Sequence, residues 1–253
     1  MIIIRIFVIL LDKGSLIVNI LLAGQLFNVE CMFCNKESDT TCRWKRRKEA
    51  RPEEILDAAL QLFTEKGFSS TRMIDVAKAA GISKGTLYLY FDSKEAIFRD
   101  VVQQRITPQL DQVEAMVEKF EGTQEDLLRQ LISGWWMSIA CTSLSAIPKI
   151  IVAESGNFPE LAKYFTESVV VRSRNLFSKV ISRGMINGEF NLYESETVAR
   201  LVVAPLVQAT IWMHSLKPYD DESGTQGYLQ LHTEFILNSL LKQPSNEFNT
   251  REE

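Results

Sequence analysis

Residues 70–94, STRMIDVAKAAGISKGTLYLYFDSK, form the stretch that decides the fold. The hydroxyl of Thr71 is suited to cap a first short helix, whose apolar residues give it one buried side. Gly81 stands where that helix should stop and the chain reverse, because glycine adopts positive φ without steric strain. Ser83 is suited to cap a second helix that runs to Tyr90. Two short helices across a tight turn predict a helix-turn-helix, whose second helix enters the major groove of DNA.

The second helix carries side chains that suit contact with DNA. Lysine, threonine and tyrosine residues between positions 83 and 94 can donate hydrogen bonds to phosphate oxygens and base edges. Gly85 would let the backbone approach DNA closely, and no acidic residue occurs in this segment before Asp92. The alternative is a structural helical corner in which Tyr88 and Tyr90 are core aromatics.

The segment GISKGTLYLYFDSKEAIF, residues 81–98, resembles the DNA-binding signature of the TetR family of transcriptional regulators. The similarity extends over roughly residues 51–98 and implies that residues 84–90 form the recognition helix. In that family Leu87 and Phe91 would hold this helix on its domain. The resemblance implies groove contacts from Lys84, Gly85, Thr86 and Tyr88. It implies phosphate contacts from Thr71, Tyr90 and Lys94.

Charge is unevenly distributed along the 253 residues. Residues 43–100 carry a net charge of +3, whereas residues 101–253 carry −6 and residues 1–42 carry −1. A basic segment joined to an acidic remainder is typical of a DNA-binding unit attached to a domain with another role. The apolar content of 46% and the charged content of 24% are those of an ordinary globular protein.

A basic run, RWKRRKEAR at residues 43–51, places six cationic residues in nine positions directly before a helix that is predicted to begin at Pro52. Such a run can be a solvated segment. Its position favours an arm that reaches phosphates or the minor groove. The arm residues expected to contact DNA are Lys45, Arg46, Arg47 and Lys48.

Residues 1–42 are predicted as an N-terminal extension with several interpretations. The apolar runs Ile6–Leu11 and Leu16–Leu22 are both shorter than the ~18–20 residues that span a bilayer. Translation starting at Met32 fits the family best. A genuine hydrophobic appendage and a membrane anchor are the alternatives, and the last would make the protein a membrane-tethered sensor. A signal peptide is disfavoured because no convincing cleavage site follows.

Cysteine and histidine usage predicts neither a metal site nor a cofactor. Three of the four cysteines lie in residues 31–42, two of them as CMFC. A CxxC pair can bind metal, but zinc normally needs four ligands and no histidine lies nearby. Thiols without a disulfide framework favour the cytoplasm. With two histidines only, His214 and His232, and no phosphate-binding glycine loop, we expect no enzyme activity.

Hydrophobic periodicity predicts an all-α fold with two domains. Residues 43–98 would be the three-helix helix-turn-helix DNA-binding domain with its basic arm. Residues 99–243 would be a helical domain for ligand binding and dimerisation, followed by a polar tail at 244–253. No strand pattern appears in the second domain. Its helices are expected to break at Pro148, Ser155–Pro159, Gly184–Gly188 and Lys217–Gly227.

A long helix from Lys94 towards Phe120, bent at Pro108, is predicted to link the two domains. By the family resemblance this helix would transmit ligand-driven changes to the DNA-binding head. The phrase IPKIIVAESGNFPELAKYF, residues 147–165, resembles the C-terminal domain of the AefR-like branch of the family.

Two late segments, at about 196–216 and 228–241, are apolar over more than one helical stripe. This pattern indicates burial on two sides. In the TetR family the last two helices of each subunit form a four-helix dimer interface, so the resemblance implies a homodimer through these helices. The alternative is that they only complete a monomeric core.

Aromatic and sulfur-containing residues of the second domain suggest an adaptable apolar pocket, although they are equally typical of a helical core. The pocket candidates are Trp135, Trp136, Met137, Cys141, Phe165 and Trp212. Together with the resemblance, these features predict a cytoplasmic, ligand-responsive repressor that binds a palindromic double-stranded DNA operator as a homodimer. A small apolar or amphipathic inducer would release it, and control of efflux is the expectation that relatives suggest.

Overall fold

The computed structural model describes residues 52–219 and 227–242, together with the backbone of three short strands near the N-terminus. These strands form one antiparallel sheet in sequence order, and Ile6 pairs with Ile20. The sheet was not predicted, although short runs rich in isoleucine, valine and leucine are typical of hairpins. The strands are β1 (Ile6–Leu11), β2 (Ser15–Leu22) and β3 (Gln25–Glu30). Met32, the N-terminal cysteines and the polar tail lie outside the described residues.

From residue 52 onward the described chain is helical, which confirms the all-α prediction for the head and the C-terminal domain. The expected breaks are present, except that Pro148 lies in the first turn of a helix, where its missing N–H is tolerated. The helices are α1 (Pro52–Lys66), α2 (Met73–Ala79), α3 (Lys84–Tyr90), α4 (Lys94–Val101), α5 (Thr107–Lys119), α6 (Gln124–Trp135), α7 (Ile147–Glu154), α8 (Pro159–Phe165), α9 (Val171–Ile186), α10 (Ser195–Ser215) and α11 (Tyr228–Leu240).

Three π-helical turns interrupt the long helical segments of the described chain. They are Val102–Ile106, Trp136–Ala140 and Thr166–Val170. The first joins α4 to α5 directly before Pro108, whose ring removes a backbone donor from the helix. The predicted linking helix is therefore present, and its irregularity precedes the proline. Such turns break the regular hydrogen-bond ladder and are places where helices bend.

The helices α1 to α4 form a head around three phenylalanine rings. Phe63, Phe68 and Phe98 are each at most 1% exposed. The rings of Phe63 and Phe68 are 4.8 Å apart, and those of Phe68 and Phe98 are 5.8 Å apart in an edge-on arrangement. Pairs of this kind stabilise beyond the area that they bury. They fix α1 and α4 under the two shorter helices.

Buried apolar side chains form two separate cores. The first core contains the head and continues into α7 and α8 through Ile147, Ile150 and Leu161. The second core is built by α6, α9, α10 and α11 with the end of α5. The buried side chains of α7 and α8 thus pack in the same core as those of the head. The division of domains at residue 98 stays a prediction.

Ion pairs align α5 with α9. The Arg172 guanidinium donates to Glu114 at 2.8 and 3.0 Å and to Asp111 at 2.5 Å. Arg183 pairs with Glu118 at 3.0 Å. Hydrogen bonds to Glu114 and Asp111 raise the pKa of Arg172 above its ordinary value. Exposed pairs contribute only about 0–1 kcal/mol each, so these contacts orient the helices more than they stabilise them.

Among the described residues no single helix is long and apolar enough to cross a bilayer. One pair, Gln124–Ala140 with Ser143–Glu154, meets the requirements of length and composition only when taken together across an 86° bend.

Candidate nucleic-acid interface

The turn between α2 and α3 has the geometry that the sequence predicts. Gly81 has φ of 69°, in the left-handed region that glycine adopts without strain. The Ser83 hydroxyl accepts the Thr86 N–H at 3.0 Å and so caps α3. Ser93 caps α4 in the same way, accepting the Ala96 N–H at 3.2 Å. The predicted starts of α3 and α4 are confirmed.

Thr71 does not cap α2, which corrects the prediction. The N-cap is Arg72, whose backbone N–H donates to the Asp75 carboxylate at 3.3 Å. Thr71 is 2% exposed, and its hydroxyl donates to the Gly67 carbonyl at 2.7 Å. A phosphate contact through this hydroxyl would have to break that hydrogen bond. Thr71 therefore holds the loop between α1 and α2 inside the head.

The outer face of α3 is exposed, and its inner face is fixed. Leu87 is 0% exposed and Phe91 is 5% exposed, so both hold the helix on the head as predicted. Tyr88 and Tyr90 are 43% and 47% exposed, so the alternative that they are core aromatics is wrong. Leu89 is 85% exposed and was missed from the sequence. Leu89 follows the buried Leu87 by two positions and therefore lies about 200° around the helix from it. This helical periodicity predicts that Leu89 is exposed.

The start of α3 places three of the predicted residues on or near its surface. Lys84 is exposed, and its ammonium lies 5.6 Å from the centre of the Tyr88 ring in a cation–π contact. A Cβ added at Gly85 would meet only the Ser83 hydroxyl, at 3.8 Å, so the head itself does not require glycine there. Thr86 is half-buried, and its hydroxyl lies 2.8 Å from that of Ser83. The helix thus presents Lys84 and Tyr88 outward as a pair.

Lys94 is half-buried and its ammonium contacts the protein itself, while its predicted phosphate contact stays a prediction. Its ammonium donates to the carbonyls of Phe68 at 2.7 Å and Ser69 at 2.9 Å. It also lies 4.7 Å from the Phe68 ring and 5.2 Å from the Phe158 ring. Because these contacts occupy the cation, the geometry does not support a phosphate contact from Lys94. The sequence could not show this, since Phe158 is distant along the chain.

Two further exposed cations belong to the start and the last turn of α2, the helix that precedes α3. They are Arg72, the N-cap of α2, and Lys78 within α2, and neither was predicted as a DNA contact. The arm residues lie outside the described part of the chain, so their role stays a prediction. They are Lys45, Arg46, Arg47 and Lys48.

The predicted pocket residues do not surround one cavity. Trp136 and Cys141 belong to the second core, and Trp135 and Met137 lie half-buried against it. Phe165 belongs to the first core, and Trp212 is half-buried on α10. A cavity of about 200 Å³ is lined by Asp57, Arg105 and Thr142 among others, and one of about 250 Å³ is lined by Arg99 and Phe158 among others. Neither is lined by a predicted pocket residue.

Both histidines connect α10 to neighbouring elements. His214 Nε2 lies 2.8 Å from the Ser145 hydroxyl, and His232 Nε2 lies 2.9 Å from the Val202 carbonyl. Burial lowers the pKa of both imidazoles, and the Lys149 cation lowers that of His214 further. Within the described ranges no group of histidine, cysteine and carboxylate side chains is arranged to hold a metal ion.

The helices α10 and α11 each have one buried and one exposed apolar side. Val202 and Leu237 face the second core and are at most 1% exposed. Leu201, Leu231 and Phe235 are 61%, 72% and 70% exposed, and we call these three residues the exposed apolar face. Exposed apolar side chains of this size on adjacent helices are typical of a surface that another chain covers.

A fixed helix-turn-helix with an exposed lysine and two exposed tyrosines on its second helix defines a DNA-binding protein. Residues 55–101 match the profile described as bacterial regulatory proteins, tetR family. Over 148 residues the chain is 39% identical to the HTH-type transcriptional regulator YfiR of Bacillus subtilis (strain 168). This match covers 58% of this chain and 71% of that protein. The chain belongs to the TetR family of bacterial transcriptional regulators. Since members of this family regulate transcription, the expectation that it is not an enzyme is confirmed.

Two longer similarities span most of the helical region. The chain is 25% identical over 195 residues to the fatty acid metabolism regulator protein of Bacillus subtilis (strain 168), covering 76% of this chain and 99% of that protein. The crystal structure of the transcriptional regulator FadR from Bacillus subtilis in complex with stearoyl-CoA matches with a TM-score of 0.61 at 19% identity, covering 75% of this chain and 99% of that one. At that identity the structural likeness shows the fold alone. These relatives do not support the membrane-tethered alternative, and the AefR-like branch stays a prediction.

Proposed function

We propose that this protein is a cytoplasmic, homodimeric repressor that binds a palindromic DNA operator and is released by a small molecule. The observation that carries the proposal is the outer face of α3, where Lys84, Tyr88, Leu89 and Tyr90 project from a helix that Leu87 fixes on the head. Lysine and tyrosine donate to phosphates and base edges, and Leu89 offers an apolar contact for the methyl group of thymine.

A second copy of the chain would cover the exposed apolar face of α10 and α11. A two-fold dimer buries the same surface on both subunits, so one apolar face serves both partners. It also presents two recognition helices related by the same axis. The operator should therefore be palindromic, with half-sites separated by about one helical turn, ~34–36 Å, or a multiple of it.

We further propose that the inducer carries a long acyl chain. The support is that one relative is named as a fatty acid metabolism regulator and that the FadR structure holds stearoyl-CoA. In this chain the apolar side chains around Trp136 in the second core could part to admit such a chain, with Trp135 and Met137 half-buried beside them. Genes of fatty acid metabolism, rather than efflux genes, are then the proposed targets.

Release follows from linkage between the two binding events. A ligand that binds better when the two heads are differently separated must weaken operator binding. The weakening is limited to its differential affinity for the two arrangements.

The DNA part is tested by selecting an operator from random duplexes and measuring its affinity by fluorescence anisotropy. Lys84→Ala should weaken specific binding by about 10- to 100-fold, the loss that a base or paired phosphate contact gives. Lys163→Ala makes the same charge change at an exposed position on α8 and should bind as the wild type does. Equal affinities for Lys84→Ala and Lys163→Ala would contradict the assignment of α3.

The ligand part uses the same operator complex. Stearoyl-CoA should release the DNA, whereas free CoA at the same concentration should not, because only the first carries an acyl chain. Similar effects of the two compounds, or none from either, would contradict a long acyl chain as the inducer's chemistry.

A further inference from the structure

A single carboxylate joins the head directly to the corner between α7 and α8, which we define as residues 154–158. Glu154, the last residue of α7, accepts the Ser69 backbone N–H at 3.1 Å and the Ser69 hydroxyl at 2.5 Å. Asn157 donates its side-chain amide to the same carboxylate at 3.0 Å. Ser69 lies in the loop between α1 and α2, 85 residues before Glu154. We call the Ser69–Glu154 contact the clamp.

Aromatic and cationic contacts surround the clamp. The Phe158 ring stands edge-on to the Phe68 ring, with centres 5.0 Å apart and planes at 90°. The Lys94 ammonium lies close to both rings and donates to the Ser69 carbonyl at 2.9 Å. Ser69 is thus held at its N–H, its hydroxyl and its carbonyl. The loop that leads into α2 is therefore positioned from the corner as well as from within the head.

The Glu154 carboxylate of the clamp is ionised at neutral pH. Partial burial alone would raise the pKa of Glu154. Hydrogen bonds from Ser69 and Asn157, with the nearby Lys94 cation, outweigh burial and bring this pKa below its ordinary value of 4.5. An ionised acceptor makes shorter and stronger hydrogen bonds than a neutral one.

The distribution of buried side chains indicates where the molecule bends. The first core runs from the head into α7 and α8, so no boundary separates the head from the corner. The chain passes between the first and second cores near Val102–Ile106, Trp136–Ala140 and Thr166–Val170, and each of these segments is a π-helical turn. Because helices bend at such turns, flexing is expected between the cores.

We propose that Ser69 and Glu154 are positioning residues for operator binding. The clamp makes the head and the α7–α8 corner one rigid unit, so motion between the cores carries the recognition helix with it and fixes its distance from that of the partner subunit. This inference rests on the proposed dimeric binding to a palindrome. It assigns the clamp to the selection of half-site spacing, while the side chains of α3 recognise the bases.

The test compares the affinity for the selected operator with that for the same operator lengthened or shortened by one base pair between half-sites. In the full-length wild-type dimer this ratio should be large. Glu154→Ala and Ser69→Ala should reduce it by about tenfold, the change that the loss of one charge-assisted hydrogen bond gives. Ser69→Thr keeps the hydroxyl and should keep the ratio. Glu65→Ala removes a carboxylate that accepts from Gln61 at 2.8 Å within α1, so it serves as the matched control.

The outcomes separate the clamp from ordinary stabilisation and from the proposed function. A reduced ratio in Glu154→Ala and Ser69→Ala, with Ser69→Thr and Glu65→Ala unchanged, supports the clamp. Lower melting temperature and weaker binding to every spacing, with an unchanged ratio, would overturn the clamp and leave the proposed function standing. Failure of the wild-type protein to select any two-fold symmetric site would overturn the proposed function and this inference with it.

Discussion

Replacing Phe235 with alanine should weaken the dimer without unfolding the subunit. Phe235 is 70% exposed on α11 and belongs to the exposed apolar face. Complete burial of a phenylalanine side chain contributes about 1.5–3 kcal/mol, so covering the exposed part contributes about 1–2 kcal/mol per subunit. Two copies meet in a dimer, giving about 2–4 kcal/mol, or roughly 30- to 1,000-fold in the dimer dissociation constant.

Sedimentation equilibrium over a concentration series measures that constant directly. Leu192→Ala is the matched control, because Leu192 is 80% exposed but lies outside α10 and α11. Far-UV circular dichroism should show unchanged helix content in both variants, since neither residue is buried. A dissociation constant for Phe235→Ala within twofold of the wild-type value, or an equal change in Leu192→Ala, would refute α10 and α11 as the dimer interface.

Two further predictions concern stability. Burial holds the folded-state pKa of His214 and His232 below 6.5, so the unfolded chain takes up protons first and stability is lost as the pH falls through 6.5. Thermal unfolding should show a melting temperature that decreases over this range, with a smaller slope in His214→Asn or His232→Asn; slopes equal to that of the wild type would contradict the assignment. Gly184→Ala should destabilise by about 1–3 kcal/mol, because its Cβ would overlap the buried ring of Phe190. That Cβ would stand 2.2 Å from a Phe190 ring carbon. The control is Gly134→Ala, which should melt no earlier than the wild type because a Cβ at Gly134 would meet nothing within 4 Å. Equal melting temperatures for the two variants would show that the Phe190 ring moves aside.

The features of the head that could be predicted from the sequence are local. The turn at Gly81, the cap at Ser83 and the buried position of Leu87 depend on a few neighbouring residues, so short patterns suffice. Leu89 could have been found by the same helical periodicity.

The roles that could not be predicted depend on tertiary contacts. Thr71 looks like a cap, but its hydroxyl meets the Gly67 carbonyl because the loop folds back on α1. Lys94 looks like a phosphate contact, but its ammonium donates to the Phe68 and Ser69 carbonyls and lies 5.2 Å from the Phe158 ring, contacts that only the tertiary fold creates. In the same way, periodicity indicates that Trp136 and Phe165 are buried, but it does not show that they belong to different cores.

The most direct test of α3 as the recognition helix is DNase I footprinting on the selected operator with the wild type, Tyr88→Ala and Tyr219→Ala. Tyr88 is 43% exposed on α3, whereas Tyr219 is 87% exposed and lies far along the chain from the head. We expect two symmetric protected blocks about one helical turn apart, or a multiple of it, for the wild type and Tyr219→Ala. Tyr88→Ala should give no protection at the same concentration, while its dimer stays intact. Equal protection by Tyr88→Ala and the wild type would contradict the assignment of α3 as the recognition helix.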